Sequence, residues 1–581
     1  MKSFVGKSIE LLGEDKKKIP KFIFIFLSAA VLDMLGIGLI GPYVAMILNP
    51  AIADNFFGSM EIFFDIEKSH ADWIVLSSLF LLCLFLVKTA AAIWINYLIV
   101  SFSMSQQSRL RIELMDIYQN IPYSKYLYRN SSHYIYSIQT LTQHYAFYIV
   151  MSGMRTMSDG IVAITILLLL AWINIKALIL LILLLVVVLV VYDNLFRKKI
   201  LSLGELSNNT EGEIIRTINE GIDGIKEIRL LGCENYFLNK VKDNSIAYRK
   251  HYTKSQSIAT APRYLLEFSM IAFVCLFVLF SMSSGNGNFE AFIPTLSAFG
   301  LASVRLMPSA NVLSHSFMQM RLRRDSVSKL YEDLRLLKKQ ENQSNFDLHR
   351  SKFSKLTLKN VSYRYPSSNY NSISNINLEI KSGETVGIIG PSGAGKTTLL
   401  DILLGMLDPT SGVVEFNKKD LRQNKGYWKR SIAYLPQQAF LVDDSLRKNI
   451  ALGVLDKDID SNKINDAIKS SKLTSLVESM PNGLDTIIGE KGIRLSGGQR
   501  QRIILARAFY YDRDILVMDE STSSLDSKVE EEISKEIQQL KGTKTIIIVS
   551  HRMSTLKSCN RIYKIENGEI VKVGEPKDMA S

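Results

Sequence analysis

The amino-acid sequence predicts two fold classes in series: an all-α membrane-crossing domain of six helices, then a domain of alternating strands and helices. Three observations carry that expectation. Apolar runs of spanning length crowd into roughly the first 320 of the 581 residues. Beyond them the apolar runs shorten to strand length and alternate with helical ones, as in an α/β domain. Between the halves lies a charged, apolar-poor stretch, YEDLRLLKKQENQSNFDLHRSK. The expected domains are therefore 1–324, a linker at 325–352, and 353–581.

The composition supports a membrane half and excludes several function classes. Hydrophobic residues make up 47% of the chain, and runs such as KFIFIFLSAAVL, WIVLSSLFLLCLFLV and ALILLILLLVVVLVVY approach the length that crosses a hydrocarbon core of about 30 Å. Spans are expected near 19–49, 72–103, 143–173, 176–203, 258–284 and 288–322. The net charge of +13 is dispersed, with no basic stripe interleaved with aromatics, so nucleic acid is not an expected partner. Its better account is topological. Lys68 is the only basic residue between the first two spans, and none stands between the last two. The stretch from Arg197 to Lys254 holds eleven, so it faces the cytoplasm and the first loop faces out. The C-terminal half then lies in the cytoplasm of a multi-pass protein of the cytoplasmic (inner) membrane. Cys83, Cys233, Cys275 and Cys559 are too scattered for a disulfide framework or a metal knuckle. No signal peptide is read at the N-terminus. The external FFGSMEIFFDI reads as a capping helix or a lipid-contacting one. Periodicity in segments such as NEGIDGIKEIRLL extends the middle helices beyond the bilayer.

The α/β half contains the chemistry. ETVGIIG reads as a buried strand feeding GPSGAGKTTLLDILLGML: strand, glycine-rich turn, helix, the context a P-loop needs. Gly390, Pro391, Ser392, Gly393, Ala394 and Gly395 form the turn whose N–H groups cradle the phosphates of ATP. Lys396 reaches the β- and γ-phosphates, the Thr397 hydroxyl is a ligand for Mg2+, and Thr398 follows in the same helix turn. RDILVMDEST then supplies an apolar strand ending in Asp519, a second Mg2+ ligand, beside Glu520, which is placed to polarise the attacking water. The fold class is thus a six-helix transmembrane domain plus an α/β P-loop nucleotide-binding domain.

From Leu495, LSGGQRQRIILARA resembles the signature motif of ATP-binding cassette proteins, and six spans followed by one cassette resemble a half-size ABC exporter along the whole chain. The resemblance implies further roles. Tyr365 in SYRYP matches the aromatic that stacks on adenine, and Gln437 in YLPQQ the glutamine that senses the γ-phosphate and joins the Mg2+ shell. Asp526 in SSLD and His551 in VSHR match the D-loop and the switch histidine. Ser496, Gly497, Gly498 and Gln499 open a helix whose N–H groups suit an anion. In the family they bind ATP held by the other subunit, which implies a dimer, most simply of two identical chains. NIPYSKYLYRNSSHYI and LLGCENYF resemble the cytoplasmic loops that dock on the cassette.

The cargo must be read from the spans, where an ionised side chain is costly. Asp33, Lys88, Arg155, Asp159, Arg263, Glu267 and Arg305 are the charges there. Arg155 with Asp159 and Arg263 with Glu267 stand four apart and can neutralise each other. Asp33 can answer either Lys88 or Arg305 but not both, which leaves a surplus of cations suited to a phosphate headgroup. Pro308, lacking an N–H, would loosen the helix beside Arg305. APRYLLEF and RLMPSAN resemble segments of the bacterial lipid-linked oligosaccharide flippases of protein N-glycosylation, which implies Lys88, Arg263 and Arg305 as contacts for a lipid-linked anionic substrate. A broader lipid or drug exporter is the alternative. A regulatory ATPase or an ATP-gated channel is the reading from another class.

Overall fold

The computed structural model describes residues 3–48, 70–283, 289–341, 352–520 and 527–579. The chain divides into two compact units, Met1–Ile121 with Arg129–Glu341, and Pro122–Tyr128 with Asn342–Ser581. Seven residues from the middle of the membrane half thus belong with the cassette.

In the first unit each expected span lies in a helix: Ile19–Leu48, His70–Asn120, Ser131–Ile173, Ile175–Asp223, Glu234–Ser283 and Phe289–Leu322. Among the described residues, five segments are long and apolar enough to cross a membrane. The last helix, of 34 residues, runs about 50 Å at 1.5 Å per residue. The second, of 51 residues, runs about 75 Å, so it projects well past the bilayer, as its periodicity implied. Outward faces are apolar, with Leu82 and Ile93 each 67% exposed, which suits contact with lipid. Inside, Leu110, Leu114 and Leu141 are buried with Phe26 and Tyr145. The third helix winds as π-helix over Ser137–Leu141 and Tyr145–Met151. NEGIDGIKEIRLL is not one helix, because the chain breaks at Gly224 and resumes at Ile225–Leu231. The backbone stays helical through Pro308, so the proline does not end its helix. FFGSMEIFFDI and Lys68 lie outside the described residues.

The expected linker needs correction. Its first part is a helix, Arg324–Glu341, built into the membrane unit: Val327, Leu330, Tyr331 and Leu334 are all buried. Those residues recur at three- and four-residue spacing, which makes one apolar stripe inside a polar sequence. The net polarity of the stretch hid the stripe.

The second unit holds two sheets. Strands β1 (Lys355–Tyr363), β2 (Ile373–Lys381), β4 (Ser411–Phe416) and β5 (Lys419–Asp420) form an antiparallel sheet in the order β2-β1-β4-β5. The other runs β10-β9-β3-β8-β7-β6, with β3 Thr385–Ile389, β6 Ile432–Leu435, β7 Ile515–Asp519, β8 Thr545–Val549, β9 Arg561–Glu566 and β10 Glu569–Gly574. Its central pairs are parallel, and β8 (TIIIV) is buried at every position, so it reads as a continuous apolar run. Each such Ile or Val contributes about 1.5–3 kcal/mol by leaving water. Trp428 is fully buried against Phe353 and Phe416, and its indole N–H donates to the Leu403 carbonyl at 2.8 Å. This core anchors the P-loop helix, Lys396–Leu403, whose Leu399, Leu400, Ile402 and Leu403 are buried.

Candidate active site

The carboxyl ends of parallel strands bring the site together, where such sheets present loops to ligands. β3 runs into the turn Gly390–Gly395, and the helix starting at Lys396 follows directly. Gly395 has φ +96°, and a Cβ there would stand 2.5 Å from the Ser372 carbonyl oxygen. A Cβ on Gly390 would strike the Ile565 carbonyl. Both positions demand glycine, and the result is a backbone cradle a side chain would fill. The Lys396 ammonium donates to the Gly390 and Pro391 carbonyls at 2.7 and 2.9 Å, which holds it across the turn. Pro391, Ser392, Gly393 and Thr397 are exposed on this turn, while Ala394 and Thr398 are buried beneath it. Tyr365 packs on the core under the P-loop, its ring edge-on to Tyr363 at 5.0 Å and its hydroxyl 3.2 Å from that of Thr398.

Asp519 closes β7 and Glu520 follows it with φ +46°, its N–H donating to the Val549 carbonyl of β8 at 2.9 Å. That bond holds a non-glycine residue in the left-handed region, a strain of the kind found where a side chain must be aimed. The aim is visible. Gln437 donates Nε2 to Glu520 Oε2 at 2.9 Å, and His551 Nδ1 lies 3.2 Å from Oε1. Each carboxylate oxygen therefore has its own partner, from different strand ends. With its N–H2 engaged, the Gln437 amide leaves its oxygen for a cation. A threonine hydroxyl at 397, the Gln437 amide oxygen and the Asp519 carboxylate are oxygen donors of the kind Mg2+ takes.

Two residues that sequence reading passed over, Tyr434 and Asp401, join this group, with Tyr123 from the loop NIPYSKYLYRNSSHYI. Tyr434 on β6 donates its hydroxyl to Asp519 Oδ2 at 3.4 Å. Burial, then the Glu520 charge beside it, raises the Asp519 carboxyl above its usual range. Asp401, on the P-loop helix, is pushed up to about 6 by burial and then by Asp519. Tyr123, from the segment Pro122–Tyr128, packs on the core that carries Tyr365, and its hydroxyl is raised by burial and then by Asp401. Local signals existed for two of them. Tyr434 stands three residues before Gln437, and an aspartate inside the run LLDILL is out of keeping with its neighbours.

The signature residues occupy another place. Ser496 caps the helix Gly497–Tyr511, accepting from the Gln499 N–H at 3.2 Å, while the Gln499 side chain accepts from the Ser496 N–H at 2.8 Å. The capping box fixes the helix start and leaves Gly497 and Gly498 at the positive dipole end. Asp526 lies outside the described residues.

In the spans, two of the three expected cargo cations are in ion pairs. Lys88 meets Asp33 at 2.7 Å and also lies over the Phe85 ring, so Asp33 answers Lys88. Arg263 meets Glu267 at 3.0 Å but stays 60% exposed. Asp159 accepts a hydrogen bond from Ser309 at 3.5 Å, on the last spanning helix. The Arg305 side chain is outside the described residues. Asp33 thus answers Lys88 across two helices and Glu267 answers Arg263 on its own helix, the pairings the sequence allowed.

Known proteins share this two-part organisation. Residues 373–523 match the family described as ABC transporter, and residues 35–306 match the ABC transporter transmembrane region. The ATP-dependent lipid A-core flippase of Ralstonia nicotianae is 28% identical over 392 residues, 66% of this chain and 64% of that protein, so the match spans just under two thirds of the relative. The protein of the same name from Thiobacillus denitrificans is 27% identical over 547 residues, 93% of this chain and 90% of its own length. A bacterial Atm1-family ABC exporter with ATP bound has the same fold, with a TM-score of 0.80, 19% identity, and 97% and 96% of the two chains covered. The chain belongs to the ABC transporters: it is a half-size exporter with one helical transmembrane domain and one ATP-hydrolysing cassette.

Proposed function

We propose that two copies of this chain form an ATP-driven flippase that moves an anionic, lipid-linked glycan from the cytoplasmic to the outer leaflet of the cytoplasmic membrane. The observation that carries the motor half is Glu520 held between Gln437 and His551, 2.9 and 3.2 Å away. A carboxylate so fixed can take a proton from water without first reorganising. Lys396 and the Gly390–Gly395 cradle bind the phosphates, and Tyr365 offers a ring for the base. Mg2+, held by Thr397, Gln437 and Asp519, would neutralise charge on the β- and γ-phosphates. The helix start at Ser496–Gln499 serves the ATP of the partner copy.

A dimer also answers an exposed surface. Leu230 and Leu231, at the end of the short helix Ile225–Leu231, are each 78% exposed, an apolar pair suited to docking on a second copy. For cargo, the exposed guanidinium of Arg263 and the relatives named lipid A-core flippases favour a phosphorylated glycolipid. A polyprenyl-pyrophosphate-linked oligosaccharide is the specific form proposed. The pairing of Lys88 and Arg263 with carboxylates favours a second reading, a broader lipid exporter.

Flipping of a fluorescent polyprenyl-pyrophosphate glycan in proteoliposomes tests this, beside a fluorescent phospholipid. The wild type should move the glycan, Glu520→Gln neither lipid, and Arg263→Ala and Arg305→Ala the phospholipid alone. Equal transport of both lipids by wild type and arginine variants would leave the broader exporter.

A further inference from the structure

We infer that Asp333 is a positioning residue that makes the membrane unit respond to nucleotide, by joining the chain segments through which the membrane unit connects to the cassette unit. The chain passes between the units at Ile121/Pro122, at Tyr128/Arg129 and at Glu341/Asn342. Residues at or near the first two meet one carboxylate, on the helix that ends at the third. Tyr118, three residues before the first crossing, donates its hydroxyl to Asp333 Oδ2 at 3.0 Å. Arg129, the first residue after the second, donates Nη1 to Oδ1 at 2.8 Å. Asp333 itself lies on the helix Arg324–Glu341 that ends at the third. The remaining donor is Ser137 Oγ, at 3.0 Å to Oδ2, where the first π-helical stretch of the third spanning helix begins.

The carboxylate is costly where it sits. Asp333 is 5% exposed, between Leu330 and Leu334 on a buried stripe, and an apolar side chain there would avoid the desolvation that a buried charge incurs. Packing is already supplied by Val327, Leu330, Tyr331 and Leu334. What an apolar residue cannot supply is direction: three donors on two oxygens fix the relative position of three chain segments. The other side of the same helix is tied as well, through Lys7 to Glu332 at 3.4 Å and Tyr331 to Glu10 at 3.0 Å. The helix is therefore held as one body with the N-terminal helix, Phe4–Leu11, and with the ends of the second and third helices. A displacement imposed on Pro122–Tyr128 reaches Asp333 through Arg129, and the π-helical stretch through Ser137. Among helical forms, π turns are rare and occur mostly as short stretches at functional sites, which suits a part that must yield.

Hydrogen–deuterium exchange of the full chain in nanodiscs, with Glu520→Gln present throughout and with or without MgATP, tests this without reference to cargo or to the partner chain. In the parent, ATP should alter exchange in peptides covering 390–400, 129–141 and 324–341. Asp333→Asn should keep the change at 390–400, with ATP affinity within about twofold, while the changes at 129–141 and 324–341 fall to less than half. Arg129→Met should do the same, and the double variant no more than either single. Changes that persist in the variants, singles that add in the double, or a parent with no ATP response at 129–141 and 324–341 would each overturn the inference. A parallel loss at 390–400 would also overturn it, as the mark of a merely structural residue. Should Asp333→Asn not fold, Tyr118→Phe, which deletes one hydrogen bond, is judged on the same peptides and by the same outcomes.

Discussion

The cassette and the spans both place carboxylates and cations in apolar surroundings, but they treat them differently. In the cassette, Asp401, Asp519 and Glu520 crowd near one another with Lys396 as the cation among them. In the spans, Lys88 finds Asp33 on another helix and Arg263 finds Glu267 on its own. Uncompensated charge marks a site that awaits a charged ligand, whereas paired charge marks a structure already satisfied. The difference explains why the motor is better specified than the cargo.

The contrast can be broken first at Glu520. Glu520→Gln should reduce ATP turnover by about 10²–10⁴ while leaving binding of a fluorescent ATP analogue unchanged. A fall of less than tenfold in phosphate release would move the catalytic role elsewhere. Next comes Lys88→Met, which strands the Asp33 carboxylate and should cost about 2–3 kcal/mol of stability, read as a lower Tm in detergent. Adding Asp33→Leu should restore most of the loss. If Lys88→Met instead spares Tm and abolishes transport, Lys88 belongs to a cargo site after all.

A smaller effect is expected at the two clamps. Gln437→Ala and His551→Ala should each slow ATP turnover by about tenfold or more, the worth of one hydrogen bond to a charged group, and their effects should not add in the double variant. Independent action would mean that Glu520 is not what they share. The smallest is Asp401→Asn. Because the folded chain holds the Asp401 proton up to about pH 6 and the unfolded chain releases it near 3.8, native Asp401 costs stability increasingly as pH rises across that window. The variant should therefore gain about 1–2 kcal/mol above pH 6, after allowance for partial exposure, and nothing below about pH 4. A Tm gain independent of pH would assign the effect to packing.

The cassette was legible because its chemistry is local. Gly390 to Thr397 follow one another, Asp519 and Glu520 are adjacent, and the β3 and β7 runs announce the strands that present them. Their convergence was legible only through the family resemblance, since Gln437, Glu520 and His551 come from three separate strand ends. The membrane helices were legible from apolar runs, whereas the helix Arg324–Glu341 was not, because a polar sequence concealed a buried stripe seen only at its packing partners. Tyr118, Ser137 and Asp333 gave no signal, and Arg129 only by standing in the loop NIPYSKYLYRNSSHYI, since nothing at short range distinguishes them from surface residues.

By itself the sequence determined what depends on neighbours along the chain: which runs enter the membrane, which turn must be glycine, and which strand ends in carboxylates. Tertiary structure alone decided what depends on neighbours across the fold. It chose Asp33 as the counter-charge of Lys88, gave each oxygen of Glu520 a partner, and buried Asp333 among three donors. A charge carries the same letter whether it is satisfied or not, and the distances of a few ångström that separate those cases exist only once the helices and strands have packed.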